Sequence, residues 1–135
     1  MDRAVADATR HANAIDRAIA VLALAASADP RAYTRAPEGR ALLGGRIMRL
    51  VVATMLNAKS SAKPLHLQVA RGWAPDNKHA ADLLRRALVL LADHELNAST
   101  FTVRCAASTG LNLYDSVIAV LVALKGPKHG GAGVL

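Results

Sequence analysis

Two stretches of this chain carry the side chains that could do chemistry. Residues 92–100 read Ala-Asp-His-Glu-Leu-Asn-Ala-Ser-Thr, and residues 126–132 read Gly-Pro-Lys-His-Gly-Gly-Ala. In the first, Asp93, His94 and Glu95 sit directly after an almost uninterrupted apolar segment. Charge is costly to bury there unless it is paired, so the cluster reads either as a functional group of ionisable residues or as a hydrogen-bonded helix end. In the second reading Asn97, Ser99 and Thr100 cap the helix that follows. In the second stretch, glycines flank a single histidine, His129, which lets backbone approach a ligand closely and leaves the imidazole accessible. At the start of a following helix such a histidine would serve as a neutral hydrogen-bond donor to a carbonyl. Its plainer reading is a helix stop followed by a tail.

Familiar alternatives fail on spacing. A zinc-protease helix needs a second histidine four residues after His94, where Ala98 stands. His94, Cys105 and His129 have no recognisable ligand spacing, so no metal is expected. The glycine-rich turn is not a phosphate loop, because it lacks the terminal Gly-Lys-Ser/Thr at the required distance.

The elements that must position these residues are helical. Hydrophobic residues make up 53% of the 135 and aromatic residues only 3%, so the core must be built from Ala, Leu, Val and Ile. Apolar residues recur at helical spacing across residues 2–28, where Ser27-Ala-Asp-Pro30 ends the pattern. A second helix should start at Pro37-Glu38 and run through Met55, with Gly44-Gly45 marking a kink or a close helix crossing. Residues 57–64 are a loop and residues 65–72 a short helix. Asp76-Asn77 should cap a third long helix, buried on all sides near residues 87–92. Helices over residues 98–108 and 112–124 complete an all-α chain. Cys105, the lone cysteine, is expected to be a buried thiol.

The net charge of +7 and pI near 10.3 suit an anionic partner such as nucleic acid, an anionic surface or a small polyanion. Acids interleave the bases, however: Arg3, Arg10 and Arg17 alternate with Asp2, Asp7 and Asp16, and no aromatic residues punctuate a basic groove. A solvated helix face is the better account, with no nucleic-acid surface. No uncharged apolar run reaches the ~18–20 residues of a membrane span, and the N-terminus is not a signal peptide, so a cytoplasmic, membrane-free protein is expected.

Taken together and in order, the two histidine stretches strongly resemble citrate synthase. The likeness extends upstream through Lys63-Pro-Leu-His66, Gly72-Trp73 and Leu83-Leu84-Arg85-Arg86-Ala87-Leu88, and covers about residues 63–132. It implies one helical domain over residues 1–135, with scaffold helices in 1–62 and the histidine motifs in 63–135. The fold would be a multi-helical piece of the large domain, lacking the small domain. It also implies condensation of acetyl-CoA with oxaloacetate to citrate and CoA, with the CoA thioester as substrate and no cofactor. His94 would bind oxaloacetate, and His129 would polarise the thioester carbonyl. Ser99 would orient the His129 ring, and Asn97, Gly130 and Gly131 would line the same pocket. The apolar helix over 112–124 would lie in a dimer interface.

The departures from the family pattern are specific. Gly133 stands where an asparagine usually follows His-Gly-Gly-Ala. The family's later Gly-x-Gly-His motif, catalytic aspartate and substrate-binding arginines are not among these residues. The isolated chain is therefore expected to lack appreciable condensation activity. A complementing chain, a non-catalytic dimerising paralogue, a fragment of a longer enzyme, and a propionyl-CoA-using 2-methylcitrate synthase all remain open.

Overall fold

A computed structural model describes residues 12–93 and 95–131. Six helices and no strand occur among the described residues: α1 (Ala14–Ala28), α2 (Pro37–Met55), α3 (Leu65–Trp73), α4 (Ala80–Leu90), α5 (Ala98–Ser108) and α6 (Leu113–Leu124). The all-α expectation holds. Helix α6 is the hub: it packs against α5, α1 and α2, while α3 rests on α2 and α4 on α3. The core lies where α1, α2 and α6 meet, and its largest fully buried side chains are Leu22 and Ile47.

Local chemistry explains most boundaries. The expected continuous helix over 2–28 starts instead at Ala14, because Asn13 caps it: Asp16 N–H donates to Asn13 Oδ1 at 2.9 Å. Residues 1–11 of that expectation, with Arg3 and Arg10, lie outside the described residues. Helix α4 begins at Ala80 rather than at Asp76-Asn77, since Asn77 Oδ1 is occupied by His79 N–H in a preceding turn. Gly110, at φ +87°, ends α5 in a left-handed conformation that costs glycine nothing. Asn112 then caps α6 by accepting from Asp115 N–H.

Arg17 is not part of a solvated face. Its guanidinium donates to Thr54 O at 2.9 Å and Met55 O at 3.2 Å, closing the C-terminus of α2, whose last carbonyls have no helical partner. Gly44-Gly45 mark neither a break in α2 nor a close crossing, because a Cβ at either position would meet nothing within 4 Å. Gly44→Ala and Gly45→Ala should each therefore raise stability by roughly 0.5–1 kcal/mol, read as a higher urea midpoint.

Two burial expectations are corrected. Leu88, Val89, Leu90 and Leu91 are 51–78% exposed rather than enclosed. The reason is topological: α4 packs chiefly on α3, so much of its circumference is left uncovered. Cys105 is exposed, because it lies on the outer side of α5.

One long-range polar contact ties the far end of α1 to α6. Tyr114 Oη donates to Asp29 Oδ2 at 2.9 Å, across 85 residues of sequence. The Arg31 N–H bond first, and the Tyr114 bond next, hold the Asp29 carboxyl below the usual carboxylate range. Its ion-pair and hydrogen-bond partners do the same for Asp16, through Lys125, and for Asp82, through Arg85. Burial, followed by the bond to Asp29, pushes Tyr114 above its ordinary value of 10.0. The folded carboxylates bind protons less tightly than unfolded ones. Their contribution is complete above the ordinary carboxylate range and fades as pH falls through the lowered values. The tyrosine contribution runs the other way, complete below pH 10 and lost as pH rises through the raised value. Urea midpoints measured across both ranges should fall at each end, and Tyr114→Phe should make the alkaline fall smaller.

Candidate functional site

Helices α5 and α6 form an antiparallel hairpin of similar lengths, 11 and 12 residues. The start of α5 therefore sits beside the end of α6, and the two histidine stretches meet despite their separation in sequence. The contact is direct: His129 Nε2 lies 3.1 Å from Ser99 Oγ, 30 residues apart.

Asn97 organises the α5 side. Its Oδ1 caps the helix by accepting Thr100 N–H at 2.9 Å, and it also accepts from the Ser99 hydroxyl at 3.0 Å. Ser99 is buried, so its hydroxyl stays within this short chain from Asn97 to His129. A serine hydroxyl has one hydrogen. While that hydrogen points at Asn97, Ser99 Oγ accepts from His129 Nε2–H, and Nδ1 carries the lone pair. Rotating the hydroxyl to donate to Nε2 reverses the assignment and places the ring hydrogen on Nδ1. The Ser99 rotor thus selects whether the free nitrogen of His129 accepts or donates.

The α6 side is held by backbone. Lys125, Gly126 and the following turn fold back over the helix end, with His129 N–H and Gly131 N–H both donating to Gly126 O at 2.9 and 3.1 Å. This packing is why the glycines stand there. A Cβ on Gly130 would come within 2.6 Å of Leu124 O, and one on Gly131 within 2.7 Å of Lys125 O. Both glycines shape the turn that presents His129. Lys125 anchors the same end by pairing with Asp16 of α1.

The structure therefore brings together Asn97, Ser99, His129, Gly130 and Gly131, while His94 lies outside the described residues. Asp93 and Glu95 are exposed, and Asp93 Oδ1 accepts Glu95 N–H at 3.0 Å, a turn that leads into the Asn97 cap. Glu95 takes positive φ, at 53°, which sharpens the bend. Among the described residues no group of three His, Cys, Asp or Glu is placed to hold a metal ion, and no helix is long and apolar enough to cross a membrane.

Residues 1–134 match the family model described as citrate synthase, C-terminal domain. The chain belongs to the citrate synthase family. It is 31% identical over 120 residues to a citrate synthase of Deinococcus radiodurans, covering 77% of this chain and 31% of that one. Against citrate synthase 2 of Bacillus subtilis it is 53% identical over 51 residues, covering 38% of this chain and 14% of the relative. Against 2-methylcitrate synthase 2 of Corynebacterium glutamicum it is 40% identical over 80 residues, covering 56% and 21%. The chain thus spans less than a third of the length of these citrate synthase family relatives. No solved structure matches it significantly.

Proposed function

We propose that this chain supplies the histidine-bearing part of a citrate-synthase-type acyltransferase site, joining acetyl-CoA to oxaloacetate and releasing citrate and CoA. The observation that carries the reading is the His129 Nε2 to Ser99 Oγ contact of 3.1 Å, which unites the two motifs in one site. In the working state the Ser99 hydroxyl donates to Nε2, and His129 Nδ1–H faces the thioester carbonyl. As the acetyl methyl group loses a proton, negative charge grows on that carbonyl oxygen, and a preplaced donor stabilises it. The enol carbon then attacks the keto carbon of oxaloacetate, which His94 orients by hydrogen bonding. Water finally cleaves the thioester of the condensed product. The family's base for the methyl proton is an aspartate that these residues do not include, so in this reading other parts of the enzyme complete the site, in the cytoplasm.

An exposed apolar surface supports that reading. Leu88, Val89 and Leu90 on α4, Leu91 at its C-cap and Phe101 on α5 are exposed, more large apolar surface than a free helix face ordinarily shows. We assign this surface to a second copy of the chain or to a complementing citrate-synthase-like polypeptide. Helix α6 already spends its apolar residues on α1, α2 and α5, and leaves Val122 exposed as its contribution to an interface. Leu90→Glu should shift the sedimentation coefficient toward that of the monomer, with helicity unchanged.

An NMR titration tests the site itself. Adding oxaloacetate and then acetyl-CoA should move the His129 imidazole nitrogens saturably, and Ser99→Ala should weaken that response about tenfold through loss of ring orientation. Absence of any His129 response at millimolar ligand would contradict the proposal. Likeness to the 2-methylcitrate synthase of Corynebacterium glutamicum supports a second acyl donor, so propionyl-CoA belongs in the same titration. A tighter response to it than to acetyl-CoA would assign the chain to that chemistry.

A further inference from the structure

At the end of α6 remote from His129, α1, α2 and the Tyr114 ring enclose a cleft of about 510 Å³. Helix α6 has 12 residues, so about 18 Å separates this cleft from the histidine turn. Its walls differ in character. Ala25, Ala28 and Leu50 give its lining an apolar part, and the exposed Arg31, Arg46 and Arg49 give it a cationic one. We propose that this cleft binds a small organic phosphate, its phosphoryl group held by the three arginines and its apolar body laid against Ala25, Ala28 and Leu50.

Charge bookkeeping supports an anion. Asp29 is the only acidic residue lining the cleft, and its oxygens are already engaged. Oδ1 accepts from Arg31 N–H at 2.9 Å and from Arg31 Nε at 3.4 Å, and Oδ2 accepts from Tyr114 Oη at 2.9 Å. Arg46 Nη1 stands 3.6 Å from Asp29 Oδ2, near enough for attraction but too far for a hydrogen bond. Arg49, one turn further along α2, makes no ion pair among the described residues. Three arginines and one carboxylate in the same lining leave an excess of two positive charges among the described residues. A phosphate monoester carries about −1.5 to −2 at neutral pH, which matches that excess. Guanidinium forks also fit phosphate oxygens two at a time. Asp29 serves here as the post that holds Arg31 and Arg46 side by side. The site thereby gives a local use to part of the chain's net charge of +7, for which the histidine motifs offer no account.

The test is a backbone NMR titration of the 135-residue chain with phenyl phosphate, and with phenol and inorganic phosphate as its two halves. Phenyl phosphate should give saturable shifts centred on Arg31, Arg46, Arg49 and Tyr114. Inorganic phosphate should move the same signals more weakly, and phenol should move none of them. Arg49→Ala should weaken phenyl phosphate binding about tenfold. Arg104→Ala, which removes an exposed base elsewhere on the surface, should leave it unchanged. Because Arg49 is exposed on a helix, its alanine variant is expected to fold, and its unperturbed spectrum will show that. Shifts scattered over all surface arginines, or unchanged binding in Arg49→Ala, would overturn the proposal. Inorganic phosphate binding as tightly as phenyl phosphate would overturn the claim of an organic ligand.

Discussion

Leu22→Ala is expected to cost roughly 2–5 kcal/mol of folding stability, enough to leave much of a marginal domain unfolded. Leu22 is fully buried where α1 meets α2 and α6, and the core has few large side chains to share the load. Its neighbours Leu43 and Ile47 on α2 and Leu121 on α6 are themselves buried and held by the helices that carry them, so the void is expected to close only in part. Leu22→Met keeps most of the volume and should cost less than ~1.5 kcal/mol. Urea unfolding followed by circular dichroism checks both. Equal losses in the two variants would mean that this junction is not tightly packed.

Gly130→Ala should abolish the site while leaving the bundle folded. The added Cβ would meet Leu124 O at 2.6 Å and Leu124 Cγ at 2.6 Å. A flexible side-chain end can swing away, but the carbonyl belongs to the last turn of α6 and cannot. The turn must therefore lift, and His129 leaves Ser99. If His129 acts as a carbonyl donor, the loss should match removal of one oxyanion-stabilising group, about a hundred- to thousandfold in turnover in any assembly that contains the complete site. Melting should change little, because the turn lies beyond the core formed by α1, α2 and α6. His129→Ala in the same background tests whether the two losses share a cause: the double variant should be no worse than either single one.

Much of this arrangement is legible in the sequence, and the remainder is hidden for identifiable reasons. Helix α2 announces itself through Pro37 and Glu38, and Gly110 and Asn112 mark the hairpin between α5 and α6. The pairing of Ser99 with His129 is implied by the family resemblance and not by any spacing rule; in the structure two helices of near-equal length, folded back on each other, bring it about. Asn13 is harder to read, since it interrupts an apolar periodicity that continues on both sides of it. The exposure of Leu88 to Leu91 is invisible locally: an apolar segment looks the same whether the covering surface belongs to its own chain or to another. The Arg17 cap on α2 and the bond from Tyr114 to Asp29 join residues 37 and 85 positions apart. Neither has a spacing rule, because tertiary packing alone brings the partners together.

The central claim is that residues 92–131 carry functional acyl-thioester chemistry, and a transplant tests it most directly. The corresponding segment of citrate synthase 2 of Bacillus subtilis, a relative 53% identical over 51 residues, would be replaced by residues 92–131 of this chain. Oxaloacetate-dependent release of CoA from acetyl-CoA is then measured for the chimera and for its His129→Ala variant. The account predicts turnover in the chimera and a fall of about a hundredfold or more in the variant. A folded chimera that is no more active than its His129→Ala variant would contradict it.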